Sequence, residues 1–163
     1  MNVTLLRATL FVAAASIAIL GGALAFQYIG GLAPCELCIL QRWPYVATII
    51  LGIIGVFAAQ NRKSGLALGI LALCGVIFLV GAGIAAYHVG VEQRWWQGPS
   101  TCTGLPGLAG DVQDILKKIE SAPIVRCDEI AWSLFGISMA GYNFILSLIL
   151  AGICAMSLKA TKR

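Results

Sequence analysis

Residues 64–91 read SGLALGILALCGVIFLVGAGIAAYHVGV, with no charged side chain between Lys63 and Glu92. About 20 such residues, rising 1.5 Å each as a helix, span a hydrocarbon core of about 30 Å. Three neighbouring windows have the same character. No charge falls between Arg7 and Glu36, between Arg42 and Arg62, or between Glu129 and Lys159. The pattern predicts an all-α membrane protein, a four-helix transmembrane bundle with spans near 7–28, 43–60, 66–88 and 138–158. Residues 1–163 read as a single integral membrane domain with loops at 29–42 and 89–137.

Composition agrees. Of the 163 residues, 60% are hydrophobic and 11% charged, whereas a soluble domain carries about 25% charged residues. One soluble core cannot hide that much apolar surface, and the excess would form patches larger than monomers tolerate. The lipid bilayer is therefore the expected partner. The net charge of +4 comes from scattered basic residues beside apolar windows, and no run is long enough for nucleic acid.

The distribution of charge gives an orientation. With four spans, the N-terminus, the 61–65 link and the C-terminus share a side that carries Arg7, Arg62, Lys63, Lys159, Lys162 and Arg163 and no acid. Every acidic residue lies on the other side, in the two longer loops. Basic residues favour the cytoplasmic side, so both termini are expected there and both loops outside. The alternative is a cleaved signal segment ending near Ala23-Leu24-Ala25. The apolar stretch is longer than a usual signal core, and cleavage would leave an odd number of spans. In the 89–137 loop, Asp111 can cap a short helix to about Ser121, with Val112, Ile115, Leu116 and Ile119 as its apolar stripe. This amphipathic helix is expected at the lipid surface, or else packed on top of the bundle.

Six cysteines sort by position. Cys74 and Cys154 fall mid-span, where cysteine acts as a small apolar residue. Cys35, Cys38, Cys102 and Cys127 lie on the outward side, where disulfides persist if the compartment is oxidising. A four-thiolate zinc site normally shows two close pairs, and only one pair is close here, so no metal is expected. A c-type haem would need His after the second cysteine, where Ile39 stands. Structural bridges are the serious competitor. A Cys102–Cys127 bridge would close a long loop and stabilise it by about 3 kcal/mol, whereas a Cys35–Cys38 bridge would close almost none. That asymmetry assigns chemistry to the close pair.

The C-x-x-C spacing beside a helix N-terminus lowers a thiol pKa and populates the thiolate nucleophile, which points to Cys35 as the acidified thiol. Arg42 follows Cys38 by four residues, on the same face if one helix covers both. Its guanidinium can steady a Cys38 thiolate or the oxygen of a bound acceptor, or else snorkel to lipid phosphate. Pro44 fits a first helical turn. His88, at the end of the third window, reads on its own as a capping or interfacial histidine.

Taken together, Pro34-Cys35-Glu36-Leu37-Cys38 after the first span, Arg42, Tyr87-His88, a loop cysteine pair and Cys127-Asp128-Glu129 through Trp132 to Phe135-Gly136 resemble the DsbB family. These are the quinone-linked thiol oxidases of the bacterial inner membrane. The resemblance covers nearly the whole chain. It implies a protein-dithiol oxidoreductase with catalytic Cys35, Cys38, Cys102 and Cys127, which reoxidises a periplasmic DsbA-like partner and passes two electrons to ubiquinone or menaquinone. Cys102 would meet the donor, Cys127 would pass oxidising equivalents to and from Cys35, and Cys38 would face the quinone. Arg42 and His88 would be cofactor-binding. Gln41 stands where some relatives have an acid, which puts proton handling there in doubt.

Two other readings remain open on sequence alone. A quinone reductase of the vitamin K epoxide reductase type also has four spans, though with its pair at a later span. A non-enzymatic assembly protein would merely be stapled by its bridges.

Overall fold

Each charge-free window folds as one long helix. The computed structural model describes residues 3–99 and 126–162. The four long helices are α1 (Val3–Tyr28), α3 (Trp43–Gln60), α4 (Ser64–Glu92) and α5 (Met139–Lys162), with a five-residue helix α2 (Glu36–Leu40) ahead of α3. All four are long and apolar enough to cross a membrane. The interfacial helix expected at 111–121 lies outside the described residues.

α3 packs between α1 and α4, α4 packs broadly on α5, and thinner α1–α5 and α1–α4 contacts close the ring. Leu5, Val12, Leu71, Cys74, Phe78, Leu150 and Cys154 form its core. Leu10, Phe11, Ile17, Ile53, Phe57, Val76, Leu79 and Ile149 point outward and exposed, the surface that lipid covers. Between helices in lipid, close approach replaces the hydrophobic effect as the main attraction. α1 and α3 use it: a Cβ on Gly52 would meet Ala13 Cβ at 2.9 Å, and one on Gly55 would meet Thr9 Cγ2 at 2.9 Å. Ser16 and Thr48 hydrogen-bond across the same seam at 2.8 Å.

Two departures from the sequence expectation matter for the site. First, no single helix covers both Cys38 and Arg42. α2 ends at Leu40, Gln41 and Arg42 form a turn, and Arg42 becomes the N-cap of α3 with Pro44 in its first turn. The cause is Pro44, which has no N–H to offer the Leu40 carbonyl four residues back and whose ring crowds that carbonyl. Second, α4 runs to Glu92 rather than ending near His88. Its 29 residues measure about 43 Å, which exceeds a core of about 30 Å. The surplus turns carry His88 and Glu92 at one end of the bundle.

That end is completed by a small hairpin, β1 (Ser133–Leu134) paired antiparallel with β2 (Ile137–Ser138). Phe135 and Gly136 both have positive φ, 51° and 76°, as a two-residue hairpin turn of matching twist requires. The hairpin delivers Ser138 as a cap on α5: its Oγ accepts the Gly141 N–H at 3.1 Å and donates to Glu92 Oε2 at 2.5 Å. One hydroxyl thus starts α5 and holds the last turn of α4.

Candidate active site

Pro34 precedes α2, and Cys35 caps that helix with its own sulfur, which accepts the Cys38 N–H at 3.2 Å. A helix that begins on a cysteine must bring the residue three positions on back over it. The Cys35 and Cys38 sulfurs are 2.6 Å apart, against about 2.05 Å in a disulfide. The pair can therefore pass between dithiol and disulfide with little movement of the chain.

The acidified thiol is not Cys35. The hydrogen bond with Cys38 pushes the Cys35 thiol well above its ordinary range, and burial pushes the same way; the Cys38 amide pulls down and is outweighed. The helix-terminus expectation named a real interaction but left out the neighbouring sulfur. Of the two sulfurs, Cys35 is the one pushed toward its protonated form.

Around the pair, three elements converge. Cys127 is fully buried and packs with Cys35, Leu37 and Val91, with Cys38 against the edge of the cluster. It is disulfide-bonded; Cys102 lies outside the described residues. From α4 comes His88, only 3% exposed, which corrects its reading as a capping or interfacial residue. Its Nε2 is 3.6 Å from Cys35 Sγ and 4.0 Å from Glu92 Oε1. Its Nδ1 meets Gln41 Nε2 at 2.7 Å, and its ring also hydrogen-bonds the Cys127 backbone.

On the other side, Cys35 and Cys38 open into a cavity of about 400 Å³ between α1, α3, α5 and the hairpin. Leu20, Ala23, Phe26, Trp132, Met139 and Leu146 give it an apolar wall, and Arg42, Gln41, His88 and Asn143 its polar points. The Arg42 Nη1 donates to Gln27 Oε1 of α1 at 2.6 Å. The guanidinium is thus held at the cavity by a protein partner, which its snorkelling alternative did not foresee. The cavity is within the roughly 300–1,000 Å³ range of small-ligand sites.

Sequence reasoning missed Gln27, Tyr45, Glu92 and Asn143. Gln27 and Asn143 are lone amides in otherwise apolar windows, and polar residues at membrane depth face the bundle interior and mark function. That rule would have found both. The sequence reading also had no reason to join His88 to the cysteines. Cys35, Cys38 and His88 donor atoms lie within 4.8 Å of one another, a set able to hold a soft metal ion. Two sulfurs on a tetrahedral zinc lie about 3.8 Å apart, from a Zn–S bond of about 2.3 Å, so the 2.6 Å separation favours sulfur–sulfur chemistry.

A vicinal thiol pair between a buried disulfide sulfur and an apolar pocket, all within a membrane bundle, is the arrangement of a disulfide-forming oxidoreductase. The family profile described as "Disulfide bond formation protein DsbB" matches residues 6–157, and the chain belongs to that family. Its relatives include an uncharacterised protein of Rickettsia prowazekii, 30% identical over 83% of this chain and 77% of its own length. A disulfide bond formation protein B of Albidiferax ferrireducens is 30% identical with the same coverages. A disulfide bond formation protein B 1 of Pseudomonas fluorescens is 31% identical over 83% of this chain and 72% of its own. No solved structure matches the chain.

Proposed function

We propose that this multi-pass membrane protein reoxidises a periplasmic DsbA-like dithiol protein and passes two electrons to ubiquinone or menaquinone. In this reading it is a single integral membrane domain of the bacterial inner membrane, with both termini cytoplasmic and the cysteine loops periplasmic. The observation that carries it is a juxtaposition: Cys127 packs with Cys35 on one side, and Cys35 and Cys38 both line the cavity on the other.

The chemistry follows that juxtaposition. The donor thiolate attacks Cys102 of a Cys102–Cys127 disulfide, a donor–Cys102 bond forms, and Cys127 leaves with the electron pair. The donor's second thiolate then displaces Cys102 as a thiolate, and the donor departs oxidised. Cys127 attacks Cys35, a Cys35–Cys127 bond replaces Cys35–Cys38, and the pair passes to Cys38. Each step needs direct sulfur-to-sulfur approach, which the packing of Cys127 on Cys35 supports. The cavity fits a planar ring on its apolar wall, with Arg42 set to meet a partially negative oxygen. A bound quinone supplies the two-electron, two-proton acceptor. Gln27 holds Arg42 in place for it, and the apolar wall keeps water from the thiolate at Cys38.

Purified protein with quinone is expected to oxidise a reduced donor catalytically, and to lose turnover as Cys38→Ser. Retained turnover in that variant would refute the relay.

A further inference from the structure

The side chains behind the cysteine pair form one hydrogen-bonded line through the bundle: Ser147, Tyr45, Asn143, Gln41, His88, Cys35. Tyr45 Oη and Ser147 Oγ are 2.9 Å apart, and Tyr45 Oη donates to Asn143 Oδ1. Asn143 Nδ2 donates to Gln41 Oε1 at 2.5 Å. Gln41 Nε2 donates to Leu37 O at 3.2 Å and meets His88 Nδ1 at 2.7 Å. Among the described residues no buried side-chain N or O lacks a partner.

The line has a direction. A hydroxyl can turn, but an amide donates only from nitrogen and accepts only at oxygen. Tyr45 gives its hydrogen to the Asn143 oxygen, which leaves the Asn143 nitrogen facing the Gln41 oxygen. The Gln41 nitrogen, also bound to the Leu37 carbonyl, must then face the histidine. His88 Nδ1 therefore accepts, and the hydrogen of a neutral ring lies on Nε2. That nitrogen lies 3.6 Å from the Cys35 sulfur and 4.0 Å from Glu92 Oε1, and the Cys127 backbone is also hydrogen-bonded to the ring. The tautomer is set from the Gln41 end.

We propose that His88 is a neutral hydrogen-bond donor to the Cys35 sulfur, with Gln41 and Asn143 as positioning residues that fix its Nε2–H tautomer. This goes beyond a quinone-binding role for His88 and rests on the relay reading. In that relay the Cys35–Cys127 bond breaks when the Cys102 thiolate attacks Cys127. The Cys102–Cys127 bond forms, and the electron pair stays on Cys35. Two donors then meet the charge, the Cys38 amide and His88 Nε2–H. His88 gives up no proton in this step. A fixed donor where charge develops acts without reorganising, as in an oxyanion hole.

The chain has one histidine, so ring-¹⁵N labelling of the full-length protein, with any histidine tag removed, reads His88 alone. The wild type at neutral pH is expected to show a neutral ring with the hydrogen on Nε2. Gln41→Met keeps the bulk and removes the donor; it should give mixed tautomers and a kcat about tenfold lower, with donor KM unchanged, the worth of one hydrogen bond. Asn143→Leu should do the same to a smaller degree, because Gln41 is then free to turn.

A wild-type spectrum with hydrogen on Nδ1, or on both nitrogens, overturns the proposal without any variant. So do two folded variants that keep a pure Nε2–H ring, or mixed tautomers with unchanged kcat. Failure of the relay itself is separable: the wild type would then not oxidise the donor dithiol with quinone at all, whatever the spectrum.

Discussion

Among the described residues two pairs of free cysteines lie within this bundle, and only one is built to react. Cys74 of α4 and Cys154 of α5 lie in the apolar core with Leu71, Phe78 and Leu150, at 1% and 0% exposure. The space around them is close: a Cβ on Gly75 would meet Cys154 Cβ at 3.2 Å. Cys35 is buried and Cys38 half-buried, but among a helix amide, an imidazole, a guanidinium-bearing cavity wall and a third sulfur. Burial alone makes a thiol inert; burial with donors and an open acceptor pocket makes it a redox station. The partners, not the residue type, separate the two.

The largest expected effect on that contrast comes from removing thiols from each pair. Cys38→Ser should remove donor oxidation, by a factor of about 10³ or more, as expected when a nucleophile is lost. Cys74→Ala and Cys154→Ala should leave turnover within about twofold and lower stability by about 1 kcal/mol each. Steady-state rates and thermal melts in detergent check both arms. Comparable rate losses at the two pairs would end the distinction.

Next comes Arg42→Met. Loss of one charge-assisted hydrogen bond should raise the quinone KM about tenfold with helix content unchanged, by kinetics and circular dichroism. Gln27→Leu removes the partner of Arg42 and should raise the same KM about threefold, which tests whether the 2.6 Å bond matters. The smallest effect is expected at Tyr45→Phe, which unties Asn143 and Ser147 from the far end of the line. A loss of about 1 kcal/mol in stability is expected, with turnover reduced less than in Gln41→Met.

Much of the architecture was legible because it follows from charge. Lys63 and Glu92 bracket α4, and Arg42 and Arg62 bracket α3, since a charge at bilayer depth is costly. The cysteine spacing gave the close pair, because a helix beginning at Cys35 returns Cys38 over it. What was hidden depends on contacts distant in sequence. His88 joins Cys35 from 53 positions away, and Asn143 joins Gln41 from 102 away; no local period encodes either. The turn at Gln41–Arg42 was half legible, since Pro44 was noted as tolerable in a first turn but not as the reason α2 stops. The raised thiol at Cys35 was hidden for another reason. A helix terminus acts on one residue, whereas the Cys35 thiol also answers to a second sulfur whose separation only the fold determines.

The central claim is that the α2 pair, and not the core pair, exchanges electrons with the quinone. It is most directly tested in a variant with Cys102 and Cys127 as serine, reduced fully and given one equivalent of quinone without air. Site-resolved alkylation and mass spectrometry then report each thiol. The account predicts that Cys35 and Cys38 lose their thiols together while Cys74 and Cys154 remain fully alkylated. Persistence of the Cys35 and Cys38 thiols, or oxidation at Cys74 and Cys154 instead, would contradict it.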